Sequence, residues 1–563
     1  MEMRLLLAFV LMGVVMLVTP YFLPQSAKPA PGKKTAQTGQ QAPPQPATGQ
    51  TPEATADKPA ATAEAAAPPK PGQVASDPQP AYIINTDLFR VSFSNQGGTL
   101  RSWVLKKFKG NDNRELELVN TAAGMEYPFS LYFPGQTAVS KLNWAWYKQT
   151  GDPDGLGVTF EYSDGSQFVH KQFRFEKTGY LAQVSTEVIT DGKPTPHLVE
   201  WRGGFGDLTI PVPSSNTITV YYDLAANKLQ DQRAGAAKNG PVTASGNFSF
   251  AGLADKYFAA VFLPESATVQ QTTFGDWVRT PLEEKPQNFA GVAVSGGDVN
   301  RFRLFVGPKD LQLLKEVDPK LEQVVDFGGW IPGIQYLAKP LFLLVDWANN
   351  SFVHNFGWAI VLVTVVINFI MFPLKLTSMK SARKMQALKP QIDAINARFK
   401  NIGISDPKKA EQNQEVMDLY KKHNVSPMGG CVPMLLQIPF FIAFYKVFTV
   451  SVVMRGATWL WVTDLSQEEH LPIKLLPIIM IVTQFLMQKM TPQANVDPNQ
   501  QKMMYFMPLI FGFMFYHLPS GLVLYYLTSN LVNMGQQLFF NHTDTARAAV
   551  ASVQPPKKKN GRK

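Results

Sequence analysis

Three polar side chains interrupt an apolar run in the second half of the chain. The run from Phe356 to Lys375 reads FGWAIVLVTVVINFIMFPLK and is long enough to cross the hydrocarbon core of a bilayer. Thr364, Asn368 and Lys375 stand at i, i+4 and i+11, so a helix places them on one face. Their hydroxyl, amide and ammonium groups need partners that lipid does not supply. The stripe therefore predicts a wet, polar groove that handles other polypeptides.

A second polar stripe lies in the last apolar segment of the chain. Its members recur at i, i+4, i+7 and i+11 and are Tyr526, Asn530, Asn533 and Gln537. Two further apolar segments carry uncharged amides, which are Gln437 in one and Gln484 with Gln488 in the other. A single intramembrane amide often serves only to join helices. Two complete stripes on separate helices favour a shared groove, and all these residues are its candidate lining.

The charge pattern argues against nucleic acid as the main partner. The net charge of +10 would suggest such a partner if the basic residues formed one patch on a globular domain. They flank apolar segments instead, which is typical of cytoplasmic loops in membrane proteins. The single cysteine, Cys431, excludes an intramolecular disulfide, and the seven histidines are scattered. We therefore expect no metal site.

The N-terminal third begins with an apolar segment and a tether. Residues 1–24 are predicted to form an uncleaved transmembrane anchor, with a cleaved signal peptide as the competing interpretation. Residues 25–80 are rich in Ala and Pro and have too little apolar surface to fold, so they are predicted to be a disordered linker.

Residues 81–326 show the alternation of an all-β sandwich. Short β-branched and aromatic runs are separated by Gly, Asp, Asn and Pro turns, and the segment is predicted to be a soluble, periplasmic domain. His170 and His197 lie in strand-like stretches near Glu200, which raises the possibility of acid-base chemistry. We expect ordinary packing roles, because neither a nucleophile motif nor a carboxylate pair accompanies them.

The remaining chain is predicted to be helical and mostly intramembrane. Residues 327–355 form an amphipathic helix on the membrane surface, and 356–376 form the second span. Residues 377–427 form a cytoplasmic helical hairpin with an apolar seam, in which Pro390 starts or kinks the first helix. The later spans are predicted at 431–453, 473–490, 503–517 and 519–540, followed by a basic cytoplasmic tail at 541–563. This order gives six spans, five of them in one bundle, with both termini in the cytoplasm.

The hairpin is strongly basic. Its candidate contact residues are Arg383, Lys384, Lys389, Arg398 and Lys400. Such a hairpin can contact anionic lipid headgroups, ribosomal RNA, or nothing, and charge alone does not choose among these.

Three segments carry a resemblance to a known family. They are SPMGGCVPMLLQIPFF at 426–441, MQKMTPQANVDPNQQKMMYFMP at 487–508 and LPSGLVLYYLTSNL at 518–531. Together with the overall layout they resemble the bacterial YidC membrane protein insertases, which are related to mitochondrial oxidase-assembly and chloroplast insertases. The resemblance covers essentially the whole chain. It implies a Gram-negative inner-membrane protein whose periplasmic domain is a supersandwich of the sugar-mutarotase type.

The resemblance also implies a function without covalent chemistry, nucleotide or cofactor. Such proteins insert and fold membrane proteins, alone or beside the Sec translocon, through a hydrophilic groove open to the cytoplasm and the lipid. The polar tail of a nascent chain enters the groove while its apolar segment moves into lipid. The implied partners are nascent membrane proteins, the lipid bilayer, the Sec translocon and, through the basic loop and tail, the ribosome.

One position departs from the family pattern. The family usually has a groove arginine in a sequence resembling x-R-x-x-x-x-P-L, and the corresponding residue here is Asn368 in INFIMFPL. Thr364 and Tyr526 fall where the family has its polar and aromatic substrate-facing residues. Lys375 lies on the Asn368 stripe about 10 Å along the axis. We expect Lys375 to supply part of the missing positive charge at the groove mouth.

Two other classes of protein compete with this interpretation. A secondary transporter of a small polar solute also uses polar stripes near the membrane midplane. Its usual intramembrane carboxylate is missing from the predicted spans after residue 355, and no inverted repeat is visible. A sugar-binding or sugar-modifying outer domain on passive helices would instead predict glycan binding by residues 81–320.

Overall fold

The computed structural model describes residues 72–74, 76–120, 125–135, 140–210, 217–266, 268–280, 282–283, 285–295, 297–328, 331, 333–399, 407–423, 425, 432–490 and 498–543. The predicted anchor, the linker up to residue 71, Lys400, Cys431 with the rest of segment 426–431, and the tail beyond residue 543 lie outside these residues.

The first half of the described chain is a β domain of nineteen strands. Their bounds are β1 Tyr82–Asn85, β2 Phe89–Ser94, β3 Thr99–Lys109, β4 Glu115–Glu117, β5 Ser130–Tyr132, β6 Lys148–Gly151, β7 Gly157–Ser163, β8 Gln167–Phe175, β9 Leu181–Thr190, β10 Lys193–Pro194, β11 Leu198–Trp201, β12 Ile218–Asp223, β13 Lys228–Arg233, β14 Val242–Gly246, β15 Phe248–Ala254, β16 Phe258–Pro264, β17 Val269–Val278, β18 Gln287–Ser295 and β19 Val299–Pro308.

The strands form three antiparallel sheets. The first has the order β1-β2-β3-β4, and the second has the order β13-β12-β15-β16-β19-β9-β8-β7-β6 with β10 beside β9. The third has the order β14-β17-β18-β11-β5. Strands β12 and β15 of the second sheet pack on β18 of the third. The β-rich layered architecture expected from the alternating sequence is therefore present.

Alternation of apolar and polar residues explains the layering. In β2, Phe89, Val91 and Phe93 are buried, while the intervening Arg90 is exposed. The ring of Phe93 lies 4.7 Å from that of Phe173 in β8, so the first and second sheets share an aromatic core. Burial of large aromatic side chains supplies most of the driving force for such packing.

The domain is not entirely β. Helix α1, Leu311–Val317, lies inside the region predicted to be all-β. The carboxylate of Asp310 caps it by accepting a hydrogen bond of 2.9 Å from the backbone N–H of Leu313. Leu311 and Leu314 are buried at i and i+3. The cap and this spacing are a helix signal that the surrounding strand pattern obscured.

The second half of the described chain is helical. Its helices are α2 Gln335–Ala348, α3 Phe356–Ile370, α4 Phe372–Arg398, α5 Pro407–Lys422, α6 Val432–Val450, α7 Leu475–Met490, α8 Pro498–Phe515 and α9 Ser520–His542, with a π-helical turn at Asn349–Val353. None of the described helices, taken singly, is both long enough and apolar enough to cross a membrane. The segments Gln335–Val353 and Phe356–Ile370 reach that length and hydropathy only together, and they meet at an angle of 113°.

A helix break falls inside the predicted second span. The sequence prediction placed the boundary between that span and the hairpin at residues 376 and 377, whereas the helix breaks at Met371 and α4 then continues without interruption to Arg398. Pro373 has no N–H to donate to the carbonyl of Phe369, and proline is tolerated in the first turn of a new helix. Pro390 lies within α4 and does not start a helix.

Helices α4 and α5 pack through an apolar seam. Met385, Leu388 and Ile392 of α4 are buried together with Tyr420 of α5. Polar contacts flank the seam, because Arg398 pairs with Glu415 and Gln412 donates a 2.7 Å hydrogen bond to Asn396. The heptad-like spacing of the sequence corresponds to this packed face.

A buried ion pair joins the helical half to the β domain. Arg455, which follows α6, pairs with the fully buried carboxylate of Asp207 and donates a hydrogen bond of 2.8 Å to the carbonyl of Lys109. Its guanidinium carbon also lies 5.3 Å from the centre of the Tyr257 ring. A more exposed pair, Lys446 with Asp326 at 4.0 Å, lies on the same junction. The two halves are therefore held in a defined contact.

Candidate functional site: a polar groove between α3, α4 and α9

The centre of the candidate site is the ammonium of Lys375. Its Nζ donates hydrogen bonds of 2.6 Å to Asn368 Oδ1 on α3 and 2.6 Å to Asn533 Oδ1 on α9. Lysine side chains on a helix lean toward its N-terminus, so the side chain of Lys375 reaches back over two turns. The ammonium therefore lies beside Asn368, about two turns back from the α-carbon of Lys375.

The side-chain amide of Asn368 uses both its nitrogen and its oxygen in hydrogen bonds around this ammonium. Its Nδ2 donates to the carbonyl of Thr364 at 2.8 Å and to Ser529 Oγ on α9 at 3.0 Å, and its Oδ1 accepts from Lys375. Gln536 of α9 donates a further bond of 3.1 Å to the backbone carbonyl of Asn368. Helices α3 and α9 are consequently joined by amide and hydroxyl groups on either side of one buried cation.

The positive charge of Lys375 has neutral partners among the described residues. None of the ion pairs there includes Lys375, and neither α3 nor α9 contains an aspartate or a glutamate. Amide oxygens provide good hydrogen bonds but only part of the stabilisation that a carboxylate would give. The site therefore combines a buried cation with neutral hydrogen-bond acceptors.

The remaining members of the two stripes face different neighbours. Thr364 is buried, and its hydroxyl donates to the carbonyl of Ile360 in its own helix at 2.6 Å. The ring of Tyr526 packs 4.8 Å from that of Phe515 on α8, while Asn530 donates to Thr483 on α7 at 3.4 Å. Gln537 donates to Asn541 at 2.9 Å. The stripe residues of α9 therefore contact three different helices, which are α8, α7 and α4. Only Asn533 contacts Lys375 directly.

The other amides predicted to line the groove lie farther from Lys375. Gln437 on α6 donates to the hydroxyl of Tyr525, next to Tyr526 on α9. Gln484 and Gln488 are half-buried on α7, the helix that also contributes Thr483 to the contact with Asn530. The structure therefore brings Asn368, Lys375 and Asn533 into one cluster and distributes the amides of α6 and α7 around the same central helix.

The basic residues of the hairpin separate into two groups. Arg383 is half-buried and donates a hydrogen bond of 2.5 Å to Asn541 on α9, so it contacts the same helix as Lys375 does. Lys389 is exposed on α4, Lys384 is half-buried, and Arg398 pairs with Glu415 inside the hairpin.

The sequence prediction missed four polar residues of the site. Ser529 and Gln536 are buried contacts of Asn368, Thr483 is the partner of Asn530, and Asn541 is the partner of Arg383 and Gln537. Ser529 and Gln536 each precede a member of the predicted stripe by one position. Widening the stripe by one residue would have included both, because a helix face that contacts two neighbours is broader than one row.

Comparisons with known proteins agree with this layout of a β domain followed by an inner-membrane helical region. Residues 82–344 match the family described as YidC periplasmic domain, and residues 347–547 match the family described as 60Kd inner membrane protein. The membrane protein insertase YidC of Geotalea daltonii is 35% identical over 493 residues, which are 85% of this chain and 88% of that protein. The membrane protein insertase YidC of Syntrophus aciditrophicus is 32% identical over 575 residues, covering 96% and 99% of the two chains.

Two solved structures of YidC proteins are also similar to this chain. A crystal structure of an active YidC insertase with its first transmembrane domain resolved is 22% identical, covers 84% of this chain and 94% of its own, and gives a TM-score of 0.37. The YidC of Thermotoga maritima is 17% identical, covers 81% and 99% of the two chains, and gives a TM-score of 0.30. On the sequence relationships, the chain is an inner-membrane protein with a periplasmic domain. It belongs to the YidC family of membrane protein insertases.

Proposed function

We propose that this protein inserts membrane proteins through the polar groove between α3, α4 and α9. A polar segment of a nascent chain enters the groove, where amides and one ammonium replace part of its hydration. This substitution lowers the free energy of desolvation, while burial of the substrate's apolar segment in lipid drives the insertion. The protein acts by lowering a transfer barrier and performs no covalent chemistry.

The observation that carries the proposal is the position of the Lys375 ammonium. It lies between the neutral side chains of Asn368 and Asn533, and no ion pair of the described residues includes it. By the family resemblance, Asn368 stands where an arginine is usual. A cation supplied from α4 therefore occupies the neighbourhood of the missing guanidinium. An acidic residue in the substrate's polar segment would gain a charge-assisted hydrogen bond there.

The membrane topology follows as part of the proposal. Helix α3 with the start of α4, and helices α6, α7, α8 and α9, form a core of five spans, and the N-terminal segment adds a sixth. The basic hairpin and tail face the cytoplasm, where they favour contact with the ribosome, and the β domain lies in the periplasm. The protein acts alone or with the Sec translocon as a cooperating partner.

Site-specific photo-crosslinking tests the groove directly. A crosslinking residue is placed at position 364, 368, 526 or 530, and a stalled nascent membrane protein serves as the target. Leu531 and Phe539 on α9 have exposed side chains and provide control positions on the same helix. We expect capture of the nascent chain from the four groove positions above the level at the two controls. Equal capture at all positions, or none, would remove the groove from the proposal and favour a transporter of small solutes.

The role of the ammonium is tested separately by insertion assays. A single-span substrate with one acidic residue in its translocated tail is compared with the same substrate carrying a glutamine. We expect Lys375→Gln to lower insertion of the acidic substrate about tenfold, on the scale of one charge-assisted hydrogen bond, and to leave the neutral substrate near its wild-type level. Lys375→Arg should retain insertion of both.

A further inference from the structure

Two cation contacts repeat along the interface between α4 and α9. Lys375 donates to Asn533, and Arg383 donates to Asn541. In each pair the donor on α4 and the acceptor on α9 are separated by 158 positions in the sequence. The two helices therefore run parallel in a fixed register, with one cation and one asparagine at each of two levels.

A defined distance separates the two levels, which are the pair Lys375 with Asn533 and the pair Arg383 with Asn541. The two cations are eight residues apart on α4, as are the two asparagines on α9, which corresponds to about 12 Å along each axis. Gln536 and Gln537 lie between the levels, and Gln537 donates to Asn541 at 2.9 Å. Gln536 uses its Nε2 for the bond to Asn368. Its Oε1 is buried and has no hydrogen-bond partner among the described residues. Polar groups therefore continue from one level to the other.

Arg383 has unused capacity for an acceptor. Its two terminal nitrogens donate to Asn541 at 2.5 Å and to Gln386 at 3.2 Å, whereas its buried Nε has no hydrogen-bond partner among the described residues. No ion pair of the described residues includes Arg383. A guanidinium presents its donors in a fork that matches a carboxylate. The open Nε donor is the second sign, beside the charge, that an anionic group completes this level.

We infer that Arg383 is a second anion-binding position of the groove, at its cytoplasmic end, and that it accepts a carboxylate of the substrate's polar segment together with Lys375. This inference rests on the proposed insertion through the groove. An extended peptide advances about 3.3 to 3.6 Å per residue, so the 12 Å between the levels matches carboxylates three or four residues apart. The pair of cations therefore makes the groove sensitive to the spacing of acidic residues in the entering segment.

The side chain's direction distinguishes this role from a lipid contact. A basic residue that serves only to anchor the cytoplasmic membrane surface extends toward the headgroups. Arg383 instead turns toward α9 and bonds Asn541. The neighbouring Lys380 is exposed on the same helix and is the matched residue for such a surface role.

The test uses the full-length protein in proteoliposomes and single-span substrates with two acidic residues in the translocated tail. The two acids are placed one, four or eight positions apart, and tails with one acid and with none are included. Insertion is compared among the wild type, Arg383→Gln, Arg383→Lys and the control Lys380→Gln. We expect the wild type and Lys380→Gln to insert the four-apart substrate about two- to fivefold more efficiently than the one-apart substrate. Arg383→Gln should abolish that preference, and Arg383→Lys should restore part of it.

The outcomes separate this inference from the proposed function. If Arg383→Gln keeps the spacing preference, or if Lys380→Gln loses it equally, then Arg383 is not a substrate position, and loss in both variants would indicate a general effect of surface charge or anionic lipid. A persistent effect of Lys375→Gln on the one-acid tail would leave the proposed function intact in either case. Folding is controlled by requiring that Arg383→Gln and Lys380→Gln unfold at the wild-type temperature in the same detergent.

Discussion

The ammonium of Lys375 lies 2.6 Å from Oδ1 of Asn368, although the two residues are seven positions apart and on different helices. One helix ends and the next begins at Met371 between them, and the lysine side chain reaches back along α4. An amide and an ammonium from two helices thus form one polar contact across the break. The cation is carried by α4, so its position depends on the start of α4 as well as on α3.

A carboxylate placed beside Lys375 should lower insertion activity without lowering thermal stability. In Asn533→Asp, the new carboxylate lies where Asn533 Oδ1 accepts from the ammonium at 2.6 Å, and a buried ion pair replaces a cation with neutral partners. We expect thermal stability in detergent to be maintained or raised, because the buried charge gains a counter-ion. Insertion of a substrate with an acidic tail should fall about tenfold, because the ammonium is already neutralised.

The control for this change is Asn533→Ser, which keeps a neutral acceptor. We expect it to retain most of the insertion activity. Equal loss of insertion in Asn533→Ser and Asn533→Asp would mean that the shape of the side chain matters more than the free charge of Lys375.

His197 should contribute an acid-sensitive part of the β domain's stability. Burial lowers the pKa of His197 to about 4, and its ring bonds the Thr186 hydroxyl at 2.9 Å and the Thr195 carbonyl at 3.0 Å. Because the unfolded chain binds a proton near pH 6.5 and the folded domain does not, stability is lost as the pH falls from about 6.5 to 4. The shift corresponds to about 3 kcal/mol at full extent.

His197→Gln removes this titration and tests it. We expect the difference in unfolding free energy between pH 7 and pH 4 to be smaller in the variant than in the wild type, measured by denaturant unfolding of the full chain. Burial raises the pKa of Glu200 to about 8, which acts in the opposite direction by favouring the folded state at low pH. Since Glu200 is present in both proteins, its contribution largely cancels in the comparison. Identical pH dependence in the two proteins would contradict a neutral, buried His197.

Removing Arg455 should loosen the junction between the two halves of the protein. Arg455→Ala leaves the fully buried carboxylate of Asp207 without its counter-ion, which costs about 3–5 kcal/mol for a buried pair. The matched change Lys446→Ala removes a cation 4.0 Å from the exposed Asp326 and should cost less than about 1 kcal/mol. Limited proteolysis and thermal unfolding would measure both.

A double variant separates the pair from the individual residues. We expect Asp207→Asn combined with Arg455→Ala to be less destabilised than the sum of the single changes, because the orphaned charge is removed. Strict additivity would show that the two side chains contribute independently.

A methyl group at Gly357 should disturb the contact between α3 and the segment after α6. A Cβ there would lie 2.3 Å from the indole of Trp459, and that ring is itself packed against Trp358 with centroids 5.7 Å apart. We expect Gly357→Ala to destabilise the protein by about 1–3 kcal/mol despite the better helix propensity of alanine. Gly535→Ala on α9, where a Cβ meets nothing within 4 Å, should be neutral or stabilising by up to about 1 kcal/mol. Thermal unfolding in one detergent would compare them, and a stable Gly357→Ala protein would contradict the tight contact.

The periodicity of the sequence predicted the helices and strands better than it predicted which side chains contact each other. Alternation in segments such as Phe89–Ser94 indicated strands, and apolar spacing indicated the seam of Met385, Leu388 and Ile392, because both depend on one buried face. The break at Met371 was missed because an apolar run hides a helix end when no polar cap interrupts it. The contact of Lys375 with Asn368 was also missed, since the spacing of α-carbons gives no direction for a long side chain.

The side-chain contacts between α4 and α9 could not be predicted from the sequence for a different reason. Residues such as Arg383 and Asn541 are 158 positions apart, and a single sequence contains no information about register between distant helices. Arg383 was consequently grouped with the other basic residues of the hairpin. Only the packed structure shows that it turns inward while Arg398, on the same helix, pairs with Glu415.

The continuity of α4 has a mechanical consequence. Its 27 residues form a rod of about 40 Å that begins at the break near Met371 and ends in the hairpin. Lys375 lies about 6 Å from that fulcrum, whereas Arg398 lies at the far end. If the rod pivots at the break, a displacement of the hairpin is reduced roughly sevenfold at the α-carbon of Lys375, in proportion to these lengths. Such a pivot would move the far end of α4 widely and leave the attachment point of the lysine almost stationary.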